Sequence, residues 1–231
     1  IDNVGLTGCL SLINLNIEKI SITATNSSCE DTINFINSRG FIEDIKIYNS
    51  FSDALDLDFS NIKFNNITVS NALNDCVDFS SGNYSIENLQ LNKCGDKGLS
   101  VGEKSLVKLN NIDVKFANIG VASKDSSVVL IKKAEMRNLK TCVSAYNKKQ
   151  EFLGGYIEMA DMTCEKYYRI ADLDNSSKIL LKEKLLINNL YGDFYNPLNF
   201  KISEVEGEEI FGHLIKDYDA INKDGSVNAA V

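Results

Sequence analysis

Asp31, Asp53 and Asp75 recur at steps of 22 residues, and Asp96 follows 21 residues later. Asp56 and Asp78 keep the same 22-residue interval, with Asp58 between them. One residue type recurring at a fixed period is the mark of a repeat that brings the same side chain to the same place on successive units. Carboxylates gathered in this way offer three chemistries. They can hold a hard cation such as Ca²⁺, which takes several carboxylate oxygens. They can share protons as an acid and base pair, because a neighbouring carboxylate raises a pKa. They can also be a solvated acidic face, or aspartates tied to turn amides. The spacing is compatible with all three.

The elements that would carry these residues repeat at the same period. Successive segments, 30–50, 52–72, 74–94, 95–117, 118–140 and, with a small insertion, 141–165, align under one another. Each holds three short stretches of alternating apolar residues. They are Leu55/Leu57, Ile62/Phe64 and Ile67/Val69 in the second segment, and Val77/Phe79, Tyr84/Ile86 and Leu89/Leu91 in the third. Leu99/Val101, Val107/Leu109 and Ile112/Val114 follow in the fourth, and Val121/Ser123, Val128/Leu130 and Ala134/Met136 in the fifth. A period of two reads as strand with one face buried. Strands this short bury that face only when coils stack and pair along an axis. The expected fold is therefore all-β, a right-handed parallel β-helix of about 22-residue coils with three short strands each. Before each third strand stand Asp44, Asn66, Asn88, Asn111 and Lys133. That column suits a corner with left-handed backbone angles and a ladder of side-chain amides.

In this register Leu55 and Leu57 point inward, so Asp56 and Asp58 point outward, with Asp78 and Ser80 beside them. Ser100 and Gly102, Ala122 and Lys124, and Ser144 and Tyr146 continue the outward rows. Lys148, Lys149, Gln150 and Glu151, followed by Gly154-Gly155, interrupt the sixth segment and predict a loop protruding beside this face. Residues 1–27 read as one more, irregular, coil or cap, 28–190 as the repeats, and 191–231 as a C-terminal cap or tail. Residues 166–190 read as a further coil, and Glu208 to Tyr218, which includes the single histidine, His213, as a short amphipathic helix.

The six cysteines are too dilute for a disulfide scaffold and lack CxxC spacing, so they read as core fillers. Cys142 and Cys164, one coil apart, are the best candidates for a disulfide. A net charge of −8 speaks against nucleic acid or an anionic membrane as partner. No apolar run approaches the length of a membrane span. The chain begins at Ile1 and shows no signal peptide, which reads as a cut domain or mature product. Separately, the expected setting is outside the cell or on its surface, and the expected state a monomer.

Residues 74–125 resemble the pectate lyase and polygalacturonase superfamily of right-handed β-helices, and the NosD-like β-helix repeats. Against the polygalacturonase pattern, Asn74-Asp75-Cys76 occupies the Asp-Asp-Cys turn. The Gly-His-Gly stretch reads Gly95-Asp96-Lys97-Gly98 and lacks its histidine, and the Arg-Ile-Lys stretch ends in Lys124 but lacks its arginine. The resemblance thus leaves Asp75 and Lys124 as catalytic candidates but not the full hydrolase set. The resemblance to pectate lyases implies Asp56, Asp58 and Asp78 as Ca²⁺ ligands and Lys97 or Lys124 as the base of a β-elimination. Asp53, Glu103, Tyr146, Lys148 and Lys149 complete the face as substrate-binding candidates. The function expected is binding or modification of an acidic polysaccharide, with a Ca²⁺-dependent, lyase-like activity if it is an enzyme. The competing expectation is a non-catalytic spacer or adhesion module of a larger surface protein.

Overall fold

A computed structural model describes residues 6–188 and 202–204. The described chain is all-β, a parallel β-solenoid of about eight turns. Its strands are β1 (Gly8–Ile13), β2 (Asn16–Ser27), β3 (Asp31–Ile36), β4 (Arg39–Ser50), β5 (Asp53–Asp58), β6 (Asn61–Ala72), β7 (Val77–Ser80) and β8 (Asn83–Cys94). They continue as β9 (Lys97–Gly102), β10 (Leu106–Lys124), β11 (Val128–Tyr146), β12 (Tyr156–Leu173), β13 (Lys178–Leu181), β14 (Lys184–Asn188) and β15 (Ile202–Glu204). In the third turn, leg 1 is β5. β6 bends at Asn65, where the pairing skips a residue, into leg 2 and leg 3. From the fifth turn onward leg 3 of one turn and leg 1 of the next run together in one long strand.

Equivalent legs pair in parallel: Leu55 opposes Val77, Val77 opposes Leu99, and Val121 opposes Val143. Each inward pair named above faces the core except Val128/Leu130. There Val129 and Ile131 are buried, opposite Val107 and Leu109. The four consecutive apolar residues carry no phase of their own, and the neighbouring turn decides it. The first turn is in register except for a bulge between Ile17 and Ser21.

The corners differ from expectation. The column Asp44, Asn66, Asn88, Asn111 does form an amide ladder, with bonds of 2.9, 3.1 and 3.1 Å. It is not left-handed. Positive φ falls mainly in two other columns, with Lys104 and Ser126 extending the first. Asn14, Asn37, Phe59, Ser81, Glu103 and Asp125 follow leg 1, and Asn26, Asn49, Asn71, Lys93, Phe116, Asn138 and Lys166 follow leg 3. Asparagine dominates there because it tolerates this backbone region and bonds its neighbour, as Asn71 does to Asn49 at 2.9 Å. Phe59 and Phe116 are the aromatic members, each at a strain on the order of 1 kcal/mol.

A buried serine column carries the corner after leg 1. Ser60 Oγ accepts from Ser38 N at 3.0 Å and donates to Asp58 O at 2.8 Å, Ser105 Oγ does the same with Gly82 N and Gly102 O, and Ser127 Oγ accepts from Ser105 N. At Gly82 the column lacks a hydroxyl, and the Tyr84 hydroxyl takes its place, accepting from Ser60 N at 3.4 Å. A Cβ on Gly82 would lie 2.3 Å from that hydroxyl, so glycine and tyrosine are fitted to each other.

All six cysteines form disulfides, Cys9–Cys29, Cys76–Cys94 and Cys142–Cys164. This corrects their reading as core fillers. Cys142 pairs with Cys164 as expected, but the two do not stack on successive turns. The loop at 147–155 lengthens the turn, so Val128 opposes Tyr156, and Cys142 and Cys164 lie in the same turn. Each disulfide closes one turn on itself, for about 3 kcal/mol in the chain-entropy account.

The last described turn is incomplete. After β13 the chain reverses through Lys182 and Glu183, both with positive φ, and β14 runs antiparallel to β13. β15 continues antiparallel to β14. Within the described part of the expected coil over 166–190, residues 166–188, the coil is not completed, because the parallel ladder ends in a hairpin. The expected helix from Glu208 to Tyr218, with His213, lies outside the described residues. Ile131→Ala is expected to cost about 2–4 kcal/mol, and Leu130→Ala less than about 1 kcal/mol. Urea unfolding measures both, and equal losses would contradict the register.

Candidate functional site

The leg-1 face carries three outward columns. One runs Asp31, Asp53, Asp75, Lys97, and later Ile119, Thr141 and Arg169. The second runs Asn34, Asp56, Asp78, Ser100, Ala122, Ser144 and Asp172. The third runs Ile36, Asp58, Ser80, Gly102, and later Lys124 and Tyr146. Asp56 thus stands beside Asp78 as the sequence implied, and the face grades from carboxyl-rich early turns to cationic later ones. The fourth member of the first column is Lys97 rather than Asp96, which bonds the Lys97 ammonium from the side.

The aspartates divide by what they hold. Asp53 Oδ1 accepts from Asp75 N and Asn74 Nδ2, both at 2.8 Å, and Asp75 Oδ1 accepts from Lys97 N at 2.9 Å. These two stitch one turn to the next. Asp56 accepts instead from Asn34 Nδ2 at 2.5 Å and shares a hydrogen bond with Asp58. Burial, then the surrounding carboxylates, push Asp56 strongly up, and burial also raises Asp58. Two such groups side by side are stable when they share a proton. Burial raises Asp53 to about 6, and burial raises Asp31 and Asp75 as well.

One column also holds unpaired polar atoms. Asn34 Oδ1, Asp78 Oδ1 and Ser100 Oγ are buried without a hydrogen-bond partner, on residues of which Asn34 is 2% and Ser100 0% exposed. Buried polar atoms in folded chains are nearly always paired. Their concentration here sets this column apart from the satisfied serine column at the corner after leg 1.

Lys124 crosses Gly102, where a Cβ would touch its Cε at 3.4 Å, and its Nζ reaches Asp78 Oδ2 at 3.7 Å. Lys97 Nζ lies 3.4 Å from Asp75. Burial alone would lower the Lys97 pKa, but Asp75 and Asp96 outweigh it and hold the ammonium above its usual range. Tyr146 is raised by burial and lies within electrostatic range of Lys97, Asp75, Asp96 and Asp78. The loop at 147–155 is tightly tied. Asp125 accepts from the amides of Lys148 and Lys149 at 2.7 and 2.8 Å, and Asn147 Nδ2 bonds three of the loop's carbonyls. Lys149 reaches back to Glu103, which its hydrogen bond holds below the usual carboxylate range. Lys104 lies over the Phe152 ring.

Asp53, Asp56, Asp58, Asp75, Asp78, Lys97, Lys124 and Tyr146 thus share one face, with Glu103 and Lys149 paired at its edge. Lys148 enters it through its backbone amide. The sequence pattern placed Ser100 in the outward row without giving it a role, and left out Asn34, because both types are common throughout the chain. Tyr156 lies on leg 2 beside Val128 and bonds Glu158, and Tyr167 packs against the core. Among the described residues the most exposed aromatics are Phe51 and Phe59, each 63% exposed, at the two ends of β5. Their positions flanking an Asp-rich strand were the available signal.

Among the described residues no three His, Cys, Asp or Glu side chains converge as a ready metal site, and no helix is long and apolar enough to cross a membrane. The chain matches none of the protein-family models, curated proteins or solved structures with which it was compared.

A raised carboxyl pKa means the folded state binds protons that the unfolded chain has released, so stability falls as pH rises through the window. For Asp53 that window runs from 3.8 to about 6. The melting temperature is therefore expected to rise between pH 7 and pH 5, and Asp53→Asn to flatten the slope. Calorimetry at the two values checks this, and a lower melting temperature at pH 5 would be the contrary result.

Proposed function

We propose that this solenoid is a polysaccharide-binding domain whose ligand lies on the leg-1 face. The observation that carries the reading is the column of Asn34, Asp56, Asp78 and Ser100, in which Asn34 Oδ1, Asp78 Oδ1 and Ser100 Oγ have no hydrogen-bond partner. A chain of sugar hydroxyls offers donors at repeated intervals, which is what such a column lacks. Half-buried carboxyls flanked by Lys97 and Lys124 give the same surface both signs of charge. The coil is taken as right-handed, the sense favoured for parallel crossover connections.

An acidic polysaccharide fits if a cation offsets its charge against the face. Asp56, Asp58 and Asp78 are the residues that would ligate Ca²⁺, which would also acidify the proton beside a uronate carboxylate. Lys97, held protonated, suits binding that carboxylate. Lys124, crossing to Asp78, is then the base candidate, with Asp75 orienting Lys97 rather than exchanging protons. Three disulfides support an oxidising, extracellular or cell-surface setting. The same turn-closing disulfides also favour the second reading, a stiff non-catalytic spacer or adhesion module.

Retention on a panel of neutral and uronate polysaccharides, with Ca²⁺ or with a chelator, distinguishes the two. Binding is expected, and Asp78→Asn is expected to weaken it about tenfold, the equivalent of one hydrogen bond of 1.4 kcal/mol. Ca²⁺ is expected to raise both the melting temperature and uronate binding, and unsaturated product in the ultraviolet would establish elimination. No retention on any polysaccharide, with no thermal response to Ca²⁺, leaves the spacer reading.

A further inference from the structure

Phe59 stands where the chain elsewhere places small or polar residues. Its column after leg 1 is otherwise Asn14, Asn37, Ser81, Glu103 and Asp125, all with positive φ. A bulky aromatic in that backbone region is a genuine outlier. Its side chain is mostly exposed, so core packing does not repay the strain. It also interrupts an amide ladder, because Asn37 Nδ2 donates to Asn14 Oδ1 at 2.7 Å and an asparagine at position 59 would continue it. Strain, exposure and a broken ladder at one residue point away from stability and toward a role at the surface.

Phe51 is equally exposed at the other end of the same leg, next to the exposed Leu73 of the following turn. Between the two phenylalanines β5 presents Asp53, Asp56 and Asp58 outward, over roughly 20 Å for a six-residue strand. Asn34 Oδ1 lies unpaired beside Asp56.

We propose that Phe51 and Phe59 are stacking platforms for pyranose rings, and that the bound glycan crosses the third turn transverse to the solenoid axis. This rests on the polysaccharide reading above and adds the orientation and the residues that set it. The negative face of an aromatic ring attracts the weakly positive C–H face of a pyranose. The carboxyls between the platforms accept from the ring hydroxyls. A protein partner fits less well, since it would have to desolvate three carboxyls to reach two separated rings. Ligand specificity then follows from ring shape: hexopyranoses with one flat apolar C–H face bind, and linkages that turn alternate rings edge-on do not reach both platforms.

The test uses the whole chain with Phe59→Asn, Phe51→Ser, their double variant, and Phe116→Asn. Phe116 has the same backbone strain but lies in the column after leg 3. Retention on the polysaccharide that best holds the unaltered protein is the readout, with thermal melting in parallel. Phe59→Asn is expected to raise the melting temperature and weaken binding about tenfold, Phe51→Ser to weaken binding similarly, and Phe116→Asn to raise the melting temperature with binding unchanged. If Phe59→Asn and Phe51→Ser bind as the unaltered protein does, the platforms are overturned and the glycan reading stands. If Phe59→Asn melts earlier, the ring is structural and the proposal fails. If Phe116→Asn weakens binding equally, the transverse placement fails. An unaltered protein retained by no polysaccharide overturns the glycan reading and the platforms with it.

Discussion

The backbone pairs along the axis, turn upon turn, at about 4.8 Å, and everything else in the molecule answers to that spacing. Parallel pairing in register places each residue beside its own equivalents, so like stands on like. For asparagine and serine this is favourable. An amide both donates and accepts, so Asn66 to Asn111 form a chain of bonds, and a serine hydroxyl does the same inside the corner after leg 1. For aspartate it is unfavourable, because charges directly opposite one another repel.

The fold answers that repulsion in different ways at neighbouring positions. Asp53 and Asp75 turn their oxygens onto backbone amides of the following turn, which makes them part of the ladder. Lys97 enters the same column and supplies the opposite charge. Asp56 and Asp58 hold no backbone amide: Asp56 accepts from the Asn34 side chain, and burial beside other carboxylates raises both toward the protonated form. What remains unanswered is concentrated at Asn34, Asp78 and Ser100, and the functional reading begins there.

The later turns show how the same constraint tolerates variation. The loop at 147–155 is admitted at a corner, where no leg has to pair, and is held by Asp125 and Asn147. Legs on either side keep their register, Val143 opposite Ala171 as Val121 opposes Val143. The disulfides act within turns rather than between them, complementing a backbone ladder that already joins the turns. A lengthened turn therefore shifted the sequence spacing of Cys142 and Cys164 without altering the stack.

The period, the three legs and the outward row of Asp56 and Asp78 could be read from the chain because alternation and a 22-residue step are local, repeated many times and reinforce one another. The face that carries the candidate site followed from them directly. Val128 to Ile131 could not be phased, since four apolar residues in succession satisfy either alternation and only the opposing turn chooses. Nor could the left-handed corners be placed, because Asn occurs both there and in the amide ladder, and its backbone angle is set by how the chain must turn to keep the next leg in register. The partners of Asp53 and Asp75, the proton shared by Asp56 with Asp58, and the exposure of Phe51 and Phe59 were decided by tertiary structure alone. Each depends on what the adjoining turn puts within a few ångströms, and a spacing along the chain states which residues stack but not which of their atoms meet.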